Sequence, residues 1–389
     1  MNPLNPFFAV IIYLISFLTG HIIKSKYKIN PLKGRYECID GMRGFLALGV
    51  FIHHSNIWHQ YLHTGYWDNP KSNLYVHLGQ TSVLLFFMIT SFLFISKLLN
   101  SNEKVFNWRN FFLSRVFRLV PMYFFLIWLI IISVMFISQW QVNVAFQDFF
   151  ASIFKWCLFT INGRPDINNS RFTAIIDAAV EGTLPYEWLF YFSLPLIAIF
   201  ILKIKPKIWY IILSVIFIAA FYEVHGMFGY FIYSFIGGAV APFILKFTSF
   251  GKKMSDTYAS IIILVCLFLI LQFSTVYNPF CIVLVTIVFT LIALGASLFG
   301  LLKNTTLKFL GEISYSTYLL HGITLFTVFY FVFGLEKVKQ LTTIEYSLLV
   351  FSIAPLVVLI SFWGFKYIEK PYMDKAKTII GKLDADSVS

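Results

Sequence analysis

The chain has 389 residues, 30 of them basic and 18 acidic, so only 12% are charged, against about 25% in soluble domains. Hydrophobic residues make up 59%, aromatic residues 20%, and the mean hydropathy is +0.78. A soluble fold of this size could not hide so much apolar surface, which excludes a soluble enzyme, a disordered chain and a disulfide scaffold and leaves a polytopic membrane protein.

Apolar stretches of span length lie near 6–23, 44–58, 78–97, 117–138, 187–202, 208–223, 227–245, 258–277, 280–301, 313–333 and 345–367. They predict an all-α polytopic membrane protein with about eleven transmembrane helices. The first stretch has no basic region before it and no small-residue cleavage site after it, so it reads as a retained helix. Stretch 144–162 is also apolar, but Gln147, Asp148, Lys155 and the run Asn162, Gly163, Arg164, Pro165 make it an amphipathic or re-entrant piece.

Alternating these spans puts 23 of the 30 basic residues on one side: Lys24 to Arg35, Lys97 to Arg118, Lys203 to Lys207, Lys246 to Lys253, Lys303, Lys308 and Lys366 to Lys382. The positive-inside rule makes that side cytoplasmic, with the N-terminus outside and the C-terminus inside. The net charge of +12 is then a topological signal, and it leaves nucleic-acid binding without a basis. Cys38, Cys157, Cys266 and Cys281 lack CxxC spacing and read as small hydrophobes, and no metal-ligand cluster is predicted.

Ionisable groups inside spans are costly and therefore mark functional candidates. In residues 39–54, Arg43 and His54 are eleven apart, which is three helical turns plus about 20°. They share one face about 16 Å apart along the axis, with Arg43 at the cytoplasmic mouth and His54 near mid-membrane, while His53 points away by about 80°. Arg115 and Arg118 form an i,i+3 pair suited to clamping phosphate, or serve as ordinary cytoplasmic flanks. Glu187 stands at the outer end of a span with Tyr191 one turn on, either paired with a neighbouring helix or chemical. Thr90 and Ser91 read as close-packing residues. In residues 310–326 sit Tyr315, Tyr318 and His321, the last four residues after Thr317, as in a satisfied core histidine. YIEKPYM, residues 367–373, is a helix end stopped by Pro371 and reads as structural.

In chain order these stretches resemble the membrane-bound acyltransferase-3 family, the O-acyltransferases of bacterial surface glycans. Arg43 and His54 match its Arg-x10-His motif in an IDGLRG-like context. Leu85, Phe86, Phe87 and Phe92 match LFFxxSGF, with Thr90 and Ser91 where Ser and Gly are usual. Arg115, Arg118, Pro121 and Tyr123 match RxxRxxPxY. Leu184, Glu187, Phe190 and Tyr191 match WSLxxExxFY, with Gly182 in place of Trp. Ser314, Tyr315, Tyr318 and His321 match LGxxSYxxYLxH, and Glu369, Lys370 and Pro371 match EKP.

The resemblance covers residues 39–373 and implies a ten-helix core. The expected organisation is an extra N-terminal helix with a basic cytoplasmic loop over 1–35, the acyltransferase core over 36–375 and a short cytoplasmic tail over 376–389, with no fused extracytoplasmic hydrolase-like domain. It further implies acyl-CoA, foremost acetyl-CoA, as donor and a glycan or lipid-linked saccharide as acceptor, in the lipid bilayer of a bacterial inner membrane. On this reading His54 and Glu187 are catalytic, and Arg43, Arg115 and Arg118 hold the donor. Asp40, Tyr123, Tyr191, Tyr315 and His321 are assigned substrate or supporting roles. His54 as general base and His54 as acyl carrier both stay open. The competing class is a transporter or flippase with a buried proton relay, which predicts inverted repeats.

Overall fold

The protein is described from a computed structural model over residues 3–31, 36–100, 106–202, 206–225, 229–248 and 255–386. The basic residues Lys33, Arg35, Lys104, Lys203, Lys205, Lys252 and Lys253 lie outside the described residues. In chain order the helices are α1 (Pro6–Lys26), α2 (Glu37–Thr64), α3 (Asn73–Asn100), α4 (Trp108–Ile137), α5 (Phe146–Cys157), α6 (Thr173–Ile176), α7 (Leu184–Leu202), α8 (Ile208–His225), α9 (Gly229–Phe247), α10 (Asp256–Ile270), α11 (Pro279–Ala293), α12 (Thr305–Glu312), α13 (Ser314–Phe326), α14 (Leu335–Gln340), α15 (Thr343–Gly364) and α16 (Lys370–Asp386). Among the described residues there is no strand. The chain is an all-α polytopic membrane protein.

Each of the eleven predicted stretches overlaps a helix; eight helical segments are long and apolar enough to cross a membrane by themselves, and the more polar α2 is not one of them. Two others, α10 and α11, have 15 residues each, about 22 Å of helix, shorter than a hydrocarbon core of about 30 Å. The stretch read as amphipathic is α5, a 12-residue helix that buries Phe149, Ser152 and Trp156 while exposing Phe146, Phe150 and Phe154 one turn apart. Local chemistry sets several boundaries. Asn5 caps α1 and Asn278 caps α11, each through its side-chain oxygen and each followed by a proline at the first helical position, where its missing N–H costs nothing. Gly65 ends α2 in the left-handed conformation, at φ 75°.

The chain divides into two compact units. One comprises Met1–Leu99 with Phe228–Ile360, the other Asn100–Met227 with Ser361–Ser389. In the first unit, α2 lies backbone-to-backbone on α12, because both carry glycine where they cross. A methyl group added at Gly44 would stand 2.6 Å from the Leu307 carbonyl oxygen of α12, and one at Gly311 would stand 1.8 Å from that of Asp40. The glycines of IDGMRG and LGEIS are thus two halves of one contact, and close approach of this kind supplies packing energy where lipid removes the hydrophobic driving force. Ser91 follows the same logic: fully buried, it donates to the Phe235 carbonyl at 2.6 Å, where Gly237 and Gly238 of α9 leave room against Met88. In the second unit, α4 packs against α5, the short α6 and α16, and α7 packs against α8.

Candidate active site

The most concentrated group of chemistry-bearing side chains is in the first unit, where α2 meets α13. His53 and His54 diverge as adjacent helical residues must. His53 is buried and donates from Nδ1 to the Tyr75 carbonyl of α3 at 2.7 Å. Its ring fills the space over Gly79, where a methyl group would come within 2.4 Å of it. His54 turns toward α13 instead. Its Nδ1 lies 2.9 Å from Nε2 of His321, with ring centroids 5.1 Å apart and planes inclined by 25°. That centroid separation leaves little more than a ring radius beyond each nitrogen, so the N···N line runs nearly through both rings, an edge-to-edge hydrogen bond rather than a stack.

His321 is fully buried and its Nδ1 lies 3.0 Å from the Thr317 carbonyl one turn back. Of the three histidines, only His54 keeps part of its surface open. The surroundings hold this arrangement firmly. Trp58, one turn beyond His54, packs on Phe326 and Phe329 with centroids 6.1 and 5.3 Å away. The Tyr346 hydroxyl of α15 donates to the Ser55 carbonyl at 2.6 Å. Arg43 is half-buried near the N-terminal end of the same helix, with Asp40 within its electrostatic reach. Tyr315 is half-buried, six residues before His321.

The second unit carries the other predicted residues. Tyr191, fully buried on α7, donates its hydroxyl to Glu187 one turn back, and the Arg115 guanidinium of α4 stands within hydrogen-bonding reach of the same hydroxyl. The fold thus joins an arginine and a carboxylate that the sequence reading sets at opposite ends of their spans. Arg118 points elsewhere, forming a 3.0 Å ion pair with the fully buried Glu369 and lying 2.9 Å from Met373 Sδ. Glu369 ends a π-helical turn, Phe365–Glu369, that leads into α16. Tyr123 donates to the Trp156 carbonyl at 2.7 Å and stacks on Phe159.

Two features were not singled out from the sequence. Glu369 reads there as part of a helix end, and the only hint of its partner is the EKP pattern in the resemblance. The other is an acidic pair, Asp177 and Glu181, fully buried in the segment between α5 and α7, with Arg164 bridging to Glu181 at 2.9 Å. Burial, reinforced by Glu181 beside it, holds the Asp177 carboxyl well above the ordinary carboxylate range. Among the described residues no group of three or more metal-ligating side chains is present.

The site therefore combines one accessible imidazole, a second imidazole behind it and an arginine on the same helix. This arrangement suits proton abstraction from a hydroxyl during group transfer. A family model described as an acyltransferase domain matches residues 36–365. The chain belongs to that family, acyltransferase 3, and is a membrane acyltransferase. No curated protein and no solved structure matches it significantly.

Proposed function

We propose that this acyltransferase moves an acyl group, most simply acetyl, from cytoplasmic acyl-CoA to a hydroxyl of an extracytoplasmic or lipid-linked glycan, such as O-antigen or another surface polysaccharide. The proposed setting is the bacterial inner membrane, with the N-terminus outside and the C-terminus in the cytoplasm. The observation that carries the reading is the singular state of His54: three histidines cluster at one level, two are buried and internally bonded, and His54 alone is partly exposed.

His54 acts as the general base for the acceptor hydroxyl. Arg43, about 16 Å away along the same helix face, receives donor phosphate, for which a planar guanidinium is well matched. Arg115, tied to Tyr191 and Glu187, is a further proposed phosphate contact. Arg118, already paired with Glu369, is proposed to fix α4 to the start of α16 instead. Glu187 works through Tyr191 and Arg115 rather than at the reacting atoms.

Mass spectrometry of surface glycans tests this reading. Cells carrying the wild-type chain should show one acyl mass that is lost in His54→Ala, with unchanged protein level and membrane insertion. Wild-type acylation by His54→Ala would overturn the assignment.

A further inference from the structure

Resting on the reading of His54 as the base, the structure assigns His321 as a positioning residue that takes a proton in turn: the two imidazoles form a relay in which His54 Nδ1–H is handed to His321 Nε2 as His54 Nε2 accepts the hydroxyl proton. A backbone carbonyl can only accept, so His321 Nδ1, 3.0 Å from the Thr317 oxygen, carries the hydrogen. The Tyr318 carbonyl also faces this ring, which reinforces the assignment. A neutral imidazole has one N–H, so His321 Nε2 is a lone-pair acceptor. Its partner at 2.9 Å, His54 Nδ1, must then be the donor, and the Val50 carbonyl one turn back faces the same ring. The lone pair of His54 is thereby forced onto Nε2, the nitrogen that remains to accept a proton.

Titratable groups on three elements border the pair. On α2 there is His53, whose Nδ1–H is given to the Tyr75 carbonyl of α3; on α13 there is Tyr318, with its ring 6.3 Å from His321; on α15 there is Tyr346, whose hydroxyl is given to Ser55. Among the described residues, the groups bonded to or ringed against the pair are carbonyls and neutral rings. Among the described residues only His53 and His321 act electrostatically on His54, so an imidazolium formed there alone would be a costly charge in the membrane. Passing the Nδ1 proton to His321 spreads that charge over two rings and places it against the Thr317 and Tyr318 carbonyls, whose dipoles oppose it.

The step balances. The acceptor oxygen bonds to the thioester carbonyl carbon as the C=O π pair moves onto the carbonyl oxygen, while its proton goes to His54 Nε2 and the Nδ1 proton goes to His321 Nε2; the C=O bond re-forms as the thiolate departs. When the C–S bond breaks, both protons retrace their paths and the thiolate leaves as the thiol, so ester and thiol are formed and both histidines are restored.

The test uses the full chain in nanodiscs, acetyl-CoA as donor and glycan purified from the same cells as acceptor. His321→Gln keeps an oxygen that can accept from His54 Nδ1–H but cannot take the proton. We expect kcat to fall about 10²-fold, a general-base-sized loss, and the acid limb of kcat/KM to move to lower pH as the base becomes harder to protonate. A proton inventory in mixed light and heavy water should be curved for wild type, with two protons in flight, and linear for His321→Gln. A linear wild-type inventory, which requires no variant to fold, would overturn the relay, as would a His321→Gln enzyme with unaltered rate and acid limb. In either case, abolished activity in His54→Ala would leave His54 as the base, whereas full activity there would remove the underlying reading itself.

Discussion

The ion pair between Arg118 and Glu369 offers the sharpest test of how the second unit is held together. The two groups lie 3.0 Å apart, with the Glu369 side chain fully buried and that of Arg118 only 16% exposed. In such surroundings the attraction and the desolvation cost are both large and nearly offset one another, but removing one partner leaves the other charge stranded. Glu369→Ala should therefore destabilise the protein by about 3–5 kcal/mol, and Arg118→Ala by a similar amount. Replacing both with apolar residues of like size, Arg118→Met with Glu369→Leu, removes the desolvation cost along with the attraction. That double variant should lie within about 1 kcal/mol of wild type. The assay is unfolding in mixed detergent micelles, followed by circular dichroism, for the two singles and the double. A loss below about 1 kcal/mol in Glu369→Ala, or a double variant whose loss equals the sum of the singles, would refute the pair as an energetic unit.

Other expectations follow from single contacts. Gly311→Ala drives a methyl group into the Asp40 carbonyl, 1.8 Å away, so it should separate α2 from α12, costing upwards of about 1–3 kcal/mol in the same unfolding assay and lowering acyl transfer. Arg115→Lys keeps the charge but loses the planar fork beside Tyr191, and should raise the KM for acetyl-CoA about ten-fold with a smaller change in kcat. An unchanged KM would remove Arg115 from the donor contacts. Asp177 carries a pH signature. Its folded carboxyl is held above its unfolded value, so folding takes up a proton and stability falls as pH rises from the ordinary carboxylate range through the raised folded value. Asp177→Asn should flatten that slope in midpoints measured across pH, and an identical slope would show that the proton resides elsewhere.

Much of the architecture is legible in the sequence, because a bilayer imposes constraints of composition and length that a single stretch satisfies alone. An apolar run of span length must be helical to satisfy its backbone hydrogen bonds. The amphipathic nature of α5 is likewise local, written in where Gln147, Asp148 and Lys155 interrupt its phenylalanines. The Arg43 and His54 face could also be read directly, since both lie on one helix and its 3.6-residue repeat orders them. Ser91 was legible as a packing residue for the same reason, although not that its hydroxyl would bond Phe235.

Partnership across the chain is a different matter. Glycines at 44 and 311 each look like ordinary small residues, and only their meeting shows that neither has room for a methyl group. Arg118 satisfies the pattern of a cytoplasmic flank until Glu369, far along the chain, closes on it. His321 reads as a core histidine satisfied by Thr317, and so it is, but with one nitrogen only. Its other nitrogen meets a residue 267 positions away. Helical periodicity assigns a side chain to a face, whereas hydrogen bonds between helices depend on the depth and rotation of both, which are set by packing throughout the unit. The sequence by itself therefore determined the membrane class, the helices and the face that bears His54. Only the tertiary structure decided which of its nitrogens is bonded, because that depends on the ring which α13 brings against it.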